Sequence, residues 1–127
     1  MVLVDTSIWI RFLAGKQPFA GQLQRLLRLE DVAGHDLIYG ELLIGDRGGR
    51  AKLLAEYELM TQTKTVPHEE VLAFVRERGL NGRGAGWIDV HLLASALVER
   101  TWFWTADPRL ERLAAELGIA CPTAASR

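Results

Sequence analysis

The sequence begins with MVLVDTSIWI (residues 1–10), in which a short run of apolar, strand-forming residues ends abruptly at Asp5. The run VLV predicts a short buried strand, and the apolar spacing after Asp5 predicts a helix from about Thr6 to Leu13. In a parallel α/β sheet, ligands bind outside the carboxyl ends of the strands, where loops and helix N-termini meet. The opening stretch therefore predicts an α/β fold with a carboxylate at the edge where such proteins bind ligands.

The rest of the chain continues the alternation of strands and helices. Further strands are predicted at 31–33 and in TWFWT (101–105), with weaker strand-like runs at 65–66 and 119–120. Helical patterns fill the intervening segments, namely a helix after Pro18 and helices at about 36–44, 51–60, 69–78, 87–99 and 108–117. We therefore expect a single domain over residues 1–127, a three-layer α/β/α fold around a short parallel sheet of four to five strands.

Composition narrows the class of protein. The chain has 127 residues, of which 49% are hydrophobic and 24% charged, as in ordinary soluble globular proteins. Its formal net charge of −1 provides no overall cationic field, so nucleic-acid binding would need a local basic patch or a bound metal. Cys121 is the only cysteine, which excludes a disulfide framework and a cysteine zinc cluster and fits a cytoplasmic setting. No stretch approaches the roughly 20 apolar residues of a membrane span, and no leader segment is expected.

Two acids follow predicted strands at the same edge of the sheet. Asp5 ends the first strand, and Asp107 follows TWFWT, so their carboxylates can converge although they are far apart in the sequence. Each residue alone is also a good helix N-cap, and Pro108 after Asp107 is typical of a first helical turn. Capping and metal binding are compatible, so both roles stay open.

Two further acids lie within apolar helix stripes. Glu41 in LIYGELLIG and Asp89 in WIDVHLLASAL stand three and four residues from apolar neighbours, which puts them in line with core-facing side chains. Each can instead be a helix-edge charge or half of a structural ion pair. If the acids gather, they repel one another unless a multivalent cation neutralises them, and hard carboxylate oxygens favour an ion such as Mg²⁺.

Four phrases of the sequence together resemble a known family. They are DTSIWI after a short strand, GEL in mid-helix, GRGAGWIDVHLLASAL, and TWFWTADPRL. The set resembles the PIN-domain ribonucleases, and most closely the VapC toxins of bacterial toxin–antitoxin pairs. The likeness runs from residue 1 to about 117, nearly the whole chain, and the acids recur in order inside their expected phrases.

The resemblance implies a set of site residues. Four carboxylates would form the acidic metal site, namely Asp5, Glu41, Asp89 and Asp107. The family would bind Mg²⁺ there, or Mn²⁺ in its place. Ser7 and Thr105 would contact a carboxylate or metal-bound water, whereas Thr6 is expected to cap the first helix. Arg83, in the glycine-rich segment NGRGAG that precedes Asp89, is a weak candidate for an RNA phosphate contact.

The resemblance also implies an activity and partners. The expected reaction is Mg²⁺-dependent hydrolysis of an RNA phosphodiester bond by an endoribonuclease toxin. The expected partners are the RNA substrate, a second copy of the chain in a homodimer, and a small VapB-type antitoxin. The antitoxin would bind operator DNA, so no direct DNA contact is expected of this chain.

Two other classes of function remain open on the residues alone. One is a metal-stabilised RNA- or partner-binding module that does not cleave. The other is a phosphatase or phosphotransfer domain using Asp5 as its nucleophile. Haloacid-dehalogenase phosphatases want a second Asp where this chain has Ser7, and receiver domains need a late lysine, whereas the last lysine here is Lys64.

The histidines are not expected to serve the site. His35 and His68 lie at predicted helix starts and are expected on the surface. His91 follows Asp89 by two residues, which points it around the helix and away from the acid.

Overall fold

The computed structural model describes residues 1–122 and contains a parallel sheet of three strands in that range. The strands are β1 (Val2–Val4), β2 (Val32–Ala33) and β3 (Trp102–Trp104), in the order β2-β1-β3. Val2 pairs with Val32 on one side and with Trp102 on the other. The first strand is therefore central and wholly buried, which explains its continuous apolar run.

Helices connect and flank the strands. In the described residues they are α1 (Thr6–Leu13), α2 (Phe19–Arg28), α3 (Asp36–Ile44), α4 (Ala51–Glu58), α5 (His68–Glu77), α6 (Trp87–Glu99) and α7 (Pro108–Glu116). The predicted helices agree with these bounds to within about two residues, because caps and glycine turns mark most of their ends. None of these helices is long and apolar enough to cross a membrane.

The expectation of four to five strands was wrong. No strand forms at 65–66, and the chain instead makes a single bridge from Gln62 to Gly34. At 119–120 there is again one bridge, between Ala120 and Phe103. Pro67 ends the segment that follows the first bridge, and proline has no N–H for a ladder. The α/β class is confirmed. The last five residues of the expected 1–127 domain lie outside the described range.

The core lies on both faces of the sheet and includes one histidine. Apolar residues of all three strands pack with buried side chains of the helices, such as Trp9 and Leu92. His35 is fully buried, so the expectation that it lies on the surface was wrong. Its position at the start of α3 faces inward because α6 and α4 cover it, as its hydrogen bonds to Ser95 and Tyr57 show.

Candidate active site

Asp5 lies at the carboxyl end of the central strand. Its N–H donates to the Trp104 carbonyl oxygen of β3 at 2.9 Å, which extends the β1–β3 pairing to the edge of the sheet. Asp5 is 7% exposed, and its Oδ2 accepts hydrogen bonds from Ser7 Oγ at 2.7 Å and Thr105 Oγ1 at 2.8 Å. The strand and the two hydroxyls therefore fix this carboxylate in one orientation.

The two hydroxyls also hold the loop that follows β3. Ala106 N–H donates to Ser7 Oγ and Asp107 N–H donates to Thr105 Oγ1, each at 3.1 Å. Each hydroxyl thus donates to Asp5 and accepts from a backbone amide, which uses both its donor and an acceptor position. This arrangement couples the position of Asp107 to that of Asp5.

Thr6 orients Glu41 across the site. The expectation that Thr6 caps α1 was wrong, because Asp5 occupies the N-cap position and Thr6 is the first helical residue. The Thr6 hydroxyl donates to Glu41 Oε1 at 2.6 Å instead, which is the length of a strong bond to a charged acceptor. Glu41 is half-buried on α3 and is held toward the start of α1 by this contact.

Asp89 lies half-buried in the first turn of α6. Its Oδ2 accepts a hydrogen bond from Gly86 N–H at 3.0 Å, which closes the start of the helix. Burial raises the pKa of the Asp89 carboxyl, the Gly86 hydrogen bond opposes this, and the negative charges of Asp5 and Asp107 raise it further. The raised pKa therefore reflects, in part, electrostatic repulsion among three of the predicted acids.

Asp107 is exposed and caps α7. Its Oδ1 accepts a hydrogen bond from Arg109 N–H at 2.9 Å, and Pro108 occupies the first turn as the sequence suggests. The helix cap uses one carboxylate oxygen and leaves the other available. Capping and ligand binding are thus compatible at this residue.

The four acids share one pattern. In each, one oxygen accepts a hydrogen bond from the protein, and no hydrogen bond from residues 1–122 reaches the other. Carboxylate oxygens that are oriented and free suit Mg²⁺, which binds through one or two carboxylates and keeps several waters. No group of three or more acids, histidines or cysteines within this range could hold an ion as it stands. The donor chemistry therefore fits a divalent ion with a largely hydrated shell and does not fit a closed protein cage.

A model of the PIN domain matches residues 2–116. This chain belongs to the PIN-domain family. Two curated relatives, both named Ribonuclease VapC32 and from Mycobacterium tuberculosis strains CDC 1551 / Oshkosh and ATCC 25618 / H37Rv, are each 40% identical over 121 residues. The aligned region covers 94% of this chain and 95% of each relative, which confirms the resemblance to the VapC group.

A solved structure supports the fold of this PIN domain. The crystal structure of PAE2754 from Pyrobaculum aerophilum superposes with a TM-score of 0.55, covering 92% of this chain and 94% of that one. Identity is 19%, so this likeness bears on the fold alone. All four acids fall inside the region that the PIN-domain model matches.

Two arginines near the acids of this PIN domain were missed at the sequence level. Arg11 Nη1 donates to the Ser7 carbonyl oxygen at 2.9 Å, and Arg109 supplies the amide that caps Asp107. The available signals were the i, i+4 spacing from Ser7 to Arg11 and the position of Arg109 in the first turn of α7. Arg83, the predicted phosphate contact, instead pairs with Glu116 at 2.7 Å. Its role toward RNA stays a prediction.

Proposed function

We propose that this protein is an endoribonuclease toxin that hydrolyses RNA phosphodiester bonds with Mg²⁺, or Mn²⁺, at Asp5, Glu41, Asp89 and Asp107. The observation that carries the proposal is a set of carboxylates oriented by hydrogen bonds, in which the charges of Asp5 and Asp107 help to raise the pKa of Asp89. Like charges held together in this way favour a cation between them. The name Ribonuclease VapC32, given to relatives at 40% identity, supports RNA as the substrate.

The chain's own residues would position the reacting groups. When bound, a divalent cation supplies positive charge to the phosphate oxygens and makes a water molecule easier to deprotonate. Ser7 and Thr105 keep Asp5 fixed, so its free oxygen needs no reorganisation when a ligand arrives. Thr6 does the same for Glu41, and the Gly86 amide does so for Asp89. These supporting bonds are of the kind that tune metal sites.

The same proposal includes the biological setting. The protein would act in the cytoplasm as a homodimer and be held inactive by a small VapB-type antitoxin. Support comes from the similarity to the VapC group over 94% of the chain. The antitoxin would contact operator DNA, and this chain would not.

Cleavage of end-labelled total RNA tests the proposal. Antitoxin-free protein is incubated with Mg²⁺, with Mn²⁺ or with EDTA, and Asp89→Asn is run in parallel. We expect discrete cuts that require the metal and fall by more than about a hundredfold in the variant, because metal-borne charge stabilisation is worth several kcal/mol. Products should carry 5′-phosphates. Cyclic phosphate ends, or cuts that persist in EDTA, would contradict the mechanism.

A binding module without cleavage is the second candidate. It is favoured by the structural task that each acid performs, such as capping α6 and α7, and by the lack of a ready three-ligand group in residues 1–122. It predicts RNA binding without cleavage by folded wild-type protein, and loss of folding when the acids are replaced. A melting curve of Asp89→Asn with and without Mg²⁺ separates the two, since the enzyme proposal predicts a folded, inactive variant.

The phosphotransfer alternative has less support. Asp5 Oδ2 already accepts two hydrogen bonds, and the Ser7 side chain stands where a haloacid-dehalogenase phosphatase would need its second acid. Covalent labelling of Asp5 by a phosphoryl donor would revive this alternative.

A further inference from the structure

A pocket walled by arginines lies beside Asp107. It encloses about 300 Å³ and is lined by Arg83, Arg109, Arg112 and Leu113. Arg109 and Arg112 are three residues apart on α7 and therefore share a face of that helix, and Arg83 reaches the pocket from the loop before α6. Arg109 follows Asp107 by two residues and its amide is bonded to that carboxylate at 2.9 Å, so the pocket begins within one helical turn of Asp107.

The charges of this arginine pocket are not balanced. Glu116 Oε2 pairs with Arg83 Nη2 at 2.7 Å. The hydrogen bond and charge of Arg83, with the charge of Arg112, hold the pKa of Glu116 below its ordinary value. No ion pair joins Arg109 or Arg112 to an acid within residues 1–122. Because guanidinium groups stay charged, the three arginines that line the pocket outnumber Glu116, the acid paired with Arg83, and the lining itself keeps an excess of positive charge.

The loop before α6 is shaped to this pocket. Gly84 has a φ of +86°, and a Cβ placed there would lie 3.3 Å from both Cδ and Nη1 of Arg109. A larger residue at this position would push the arginine side chain away as well as strain the backbone. The glycine thus lets the loop lie against Arg109. Two residues later in the same loop, Gly86 N–H donates a hydrogen bond to Asp89.

We propose that Arg109 and Arg112 bind a backbone phosphate of the RNA strand next to the phosphodiester that is cleaved. The inference rests on the proposed function for its substrate and adds the residues that hold it. Guanidinium groups match phosphate oxygens in paired hydrogen bonds, and the pocket begins within one helical turn of Asp107. The chain has a net charge of −1, so attraction to RNA has to come from a local basic patch such as this or from bound metal.

RNA binding can be measured without cleavage. A 5′-fluorescein, single-stranded RNA of mixed sequence is titrated with Asp89→Asn protein in Mg²⁺ buffer, and anisotropy is followed across about 50 to 200 mM salt. Adding Arg109→Gln and Arg112→Gln together should weaken binding about tenfold or more at low salt. The slope of log affinity against log salt should fall by about 0.7 for each phosphate that the protein no longer binds.

Two further variants sharpen the test. Arg28→Gln, on the exposed end of α2 before β2, removes an arginine at the opposite edge of the sheet and should leave affinity and slope unchanged. Glu116→Gln should tighten binding and steepen the slope, because it frees the Arg83 guanidinium. This gain of affinity cannot arise from misfolding.

The outcomes separate this inference from the proposed function. If the arginine double variant binds RNA like Arg28→Gln, the phosphate site is wrong, even when wild-type protein cuts RNA. If the double variant loses only binding of an antitoxin, the pocket is a protein-binding surface and the inference is also wrong. If the salt slope falls as expected but wild-type protein cuts nothing, the phosphate site stands and the nuclease proposal fails.

Discussion

Asp5 and His35 occupy equivalent places in the fold but differ in how their side chains are satisfied by hydrogen bonds. Each follows a parallel strand at its carboxyl end, and each is the N-cap residue of the next helix. His35 is fully buried, and hydrogen bonds satisfy both ring nitrogens, through Leu37 N–H at 3.0 Å and Ser95 Oγ at 2.9 Å. Asp5 keeps one oxygen without a hydrogen bond from residues 1–122 and has other acids nearby. The same kind of β–α junction thus places a candidate ligand, Asp5, after β1 and a structural histidine, His35, after β2.

His35→Ala should have the largest effect on stability. The variant leaves a cavity and removes the hydrogen-bond partner of both the Leu37 amide and the Ser95 hydroxyl. We therefore expect a loss of about 2–4 kcal/mol in the free energy of unfolding. Urea denaturation measures it. Ser95→Ala, which removes a single hydrogen bond, should cost only about 1 kcal/mol. Equal stability of His35→Ala and wild type would show that the buried contact is not structural.

Thr105→Val should change RNA cleavage more than it changes the stability of the fold. The change keeps the shape but removes the hydroxyl between Asp5 and the Asp107 amide, and such supporting groups change metal affinity or activity by about 10–100-fold. RNA cleavage across a series of Mg²⁺ concentrations measures the shift. Thr101→Val is the matched control, because Thr101 is also buried and its hydroxyl has no partner in the described residues. Cleavage that is insensitive to both changes would refute the supporting role.

Protonation of His35 should make the free energy of unfolding depend on pH. Burial lowers its pKa from the ordinary value of 6.5, so the unfolded chain binds a proton there that the folded protein resists. This contribution is complete above pH 6.5 and is lost as the pH falls below it, at no more than about 1.4 kcal/mol per pH unit. Urea denaturation at a series of pH values measures the slope. The slope should be shallower in His35→Asn, and an unchanged slope would assign the titration to another group.

Asp89→Asn should give the smallest change, with the opposite sign. Without metal it relieves repulsion from Asp5 and Asp107 while the amide oxygen keeps the Gly86 contact, so we expect a gain of roughly 0.5–1 kcal/mol near neutral pH. Because the folded-state pKa is raised above 3.8, the gain should shrink as the pH falls through that raised pKa and should be gone below 3.8.

Mg²⁺ provides a second measurement on the same variant. It should raise the melting temperature of wild type and have little effect on Asp89→Asn. Asp46→Asn is a suitable control, since Asp46 also accepts a backbone hydrogen bond, from Gly48, and is not one of the proposed ligands. A loss of stability in Asp89→Asn without metal would favour the binding-module alternative.

Most helices and strands could be predicted because apolar runs and cap residues are signals carried by neighbouring residues. The bounds of β1 and α1 follow from VLV before Asp5, and the N-terminus of α7 follows from Asp107 and Pro108. The two weak strands could not be separated from single bridges, because strand formation depends on a partner that is distant in the chain and on whether the next residues continue beside it.

By itself, the sequence determined the α/β class, the helices and the acids, because periodicity, caps and misplaced charges are properties of neighbouring residues. Only the tertiary structure decided which groups meet. Thr6 reaches Glu41 across 35 residues, and this pairing has no sequence signal. Thr105 reaches Asp5 across 100 residues, where the resemblance implied a carboxylate contact without naming the carboxylate. The burial of His35 and the grouping of Arg83 with Arg109 and Arg112 likewise depend on how α6 and α7 pack beside the sheet. Side-chain partners are fixed by packing in three dimensions, which the order of residues along the chain does not record.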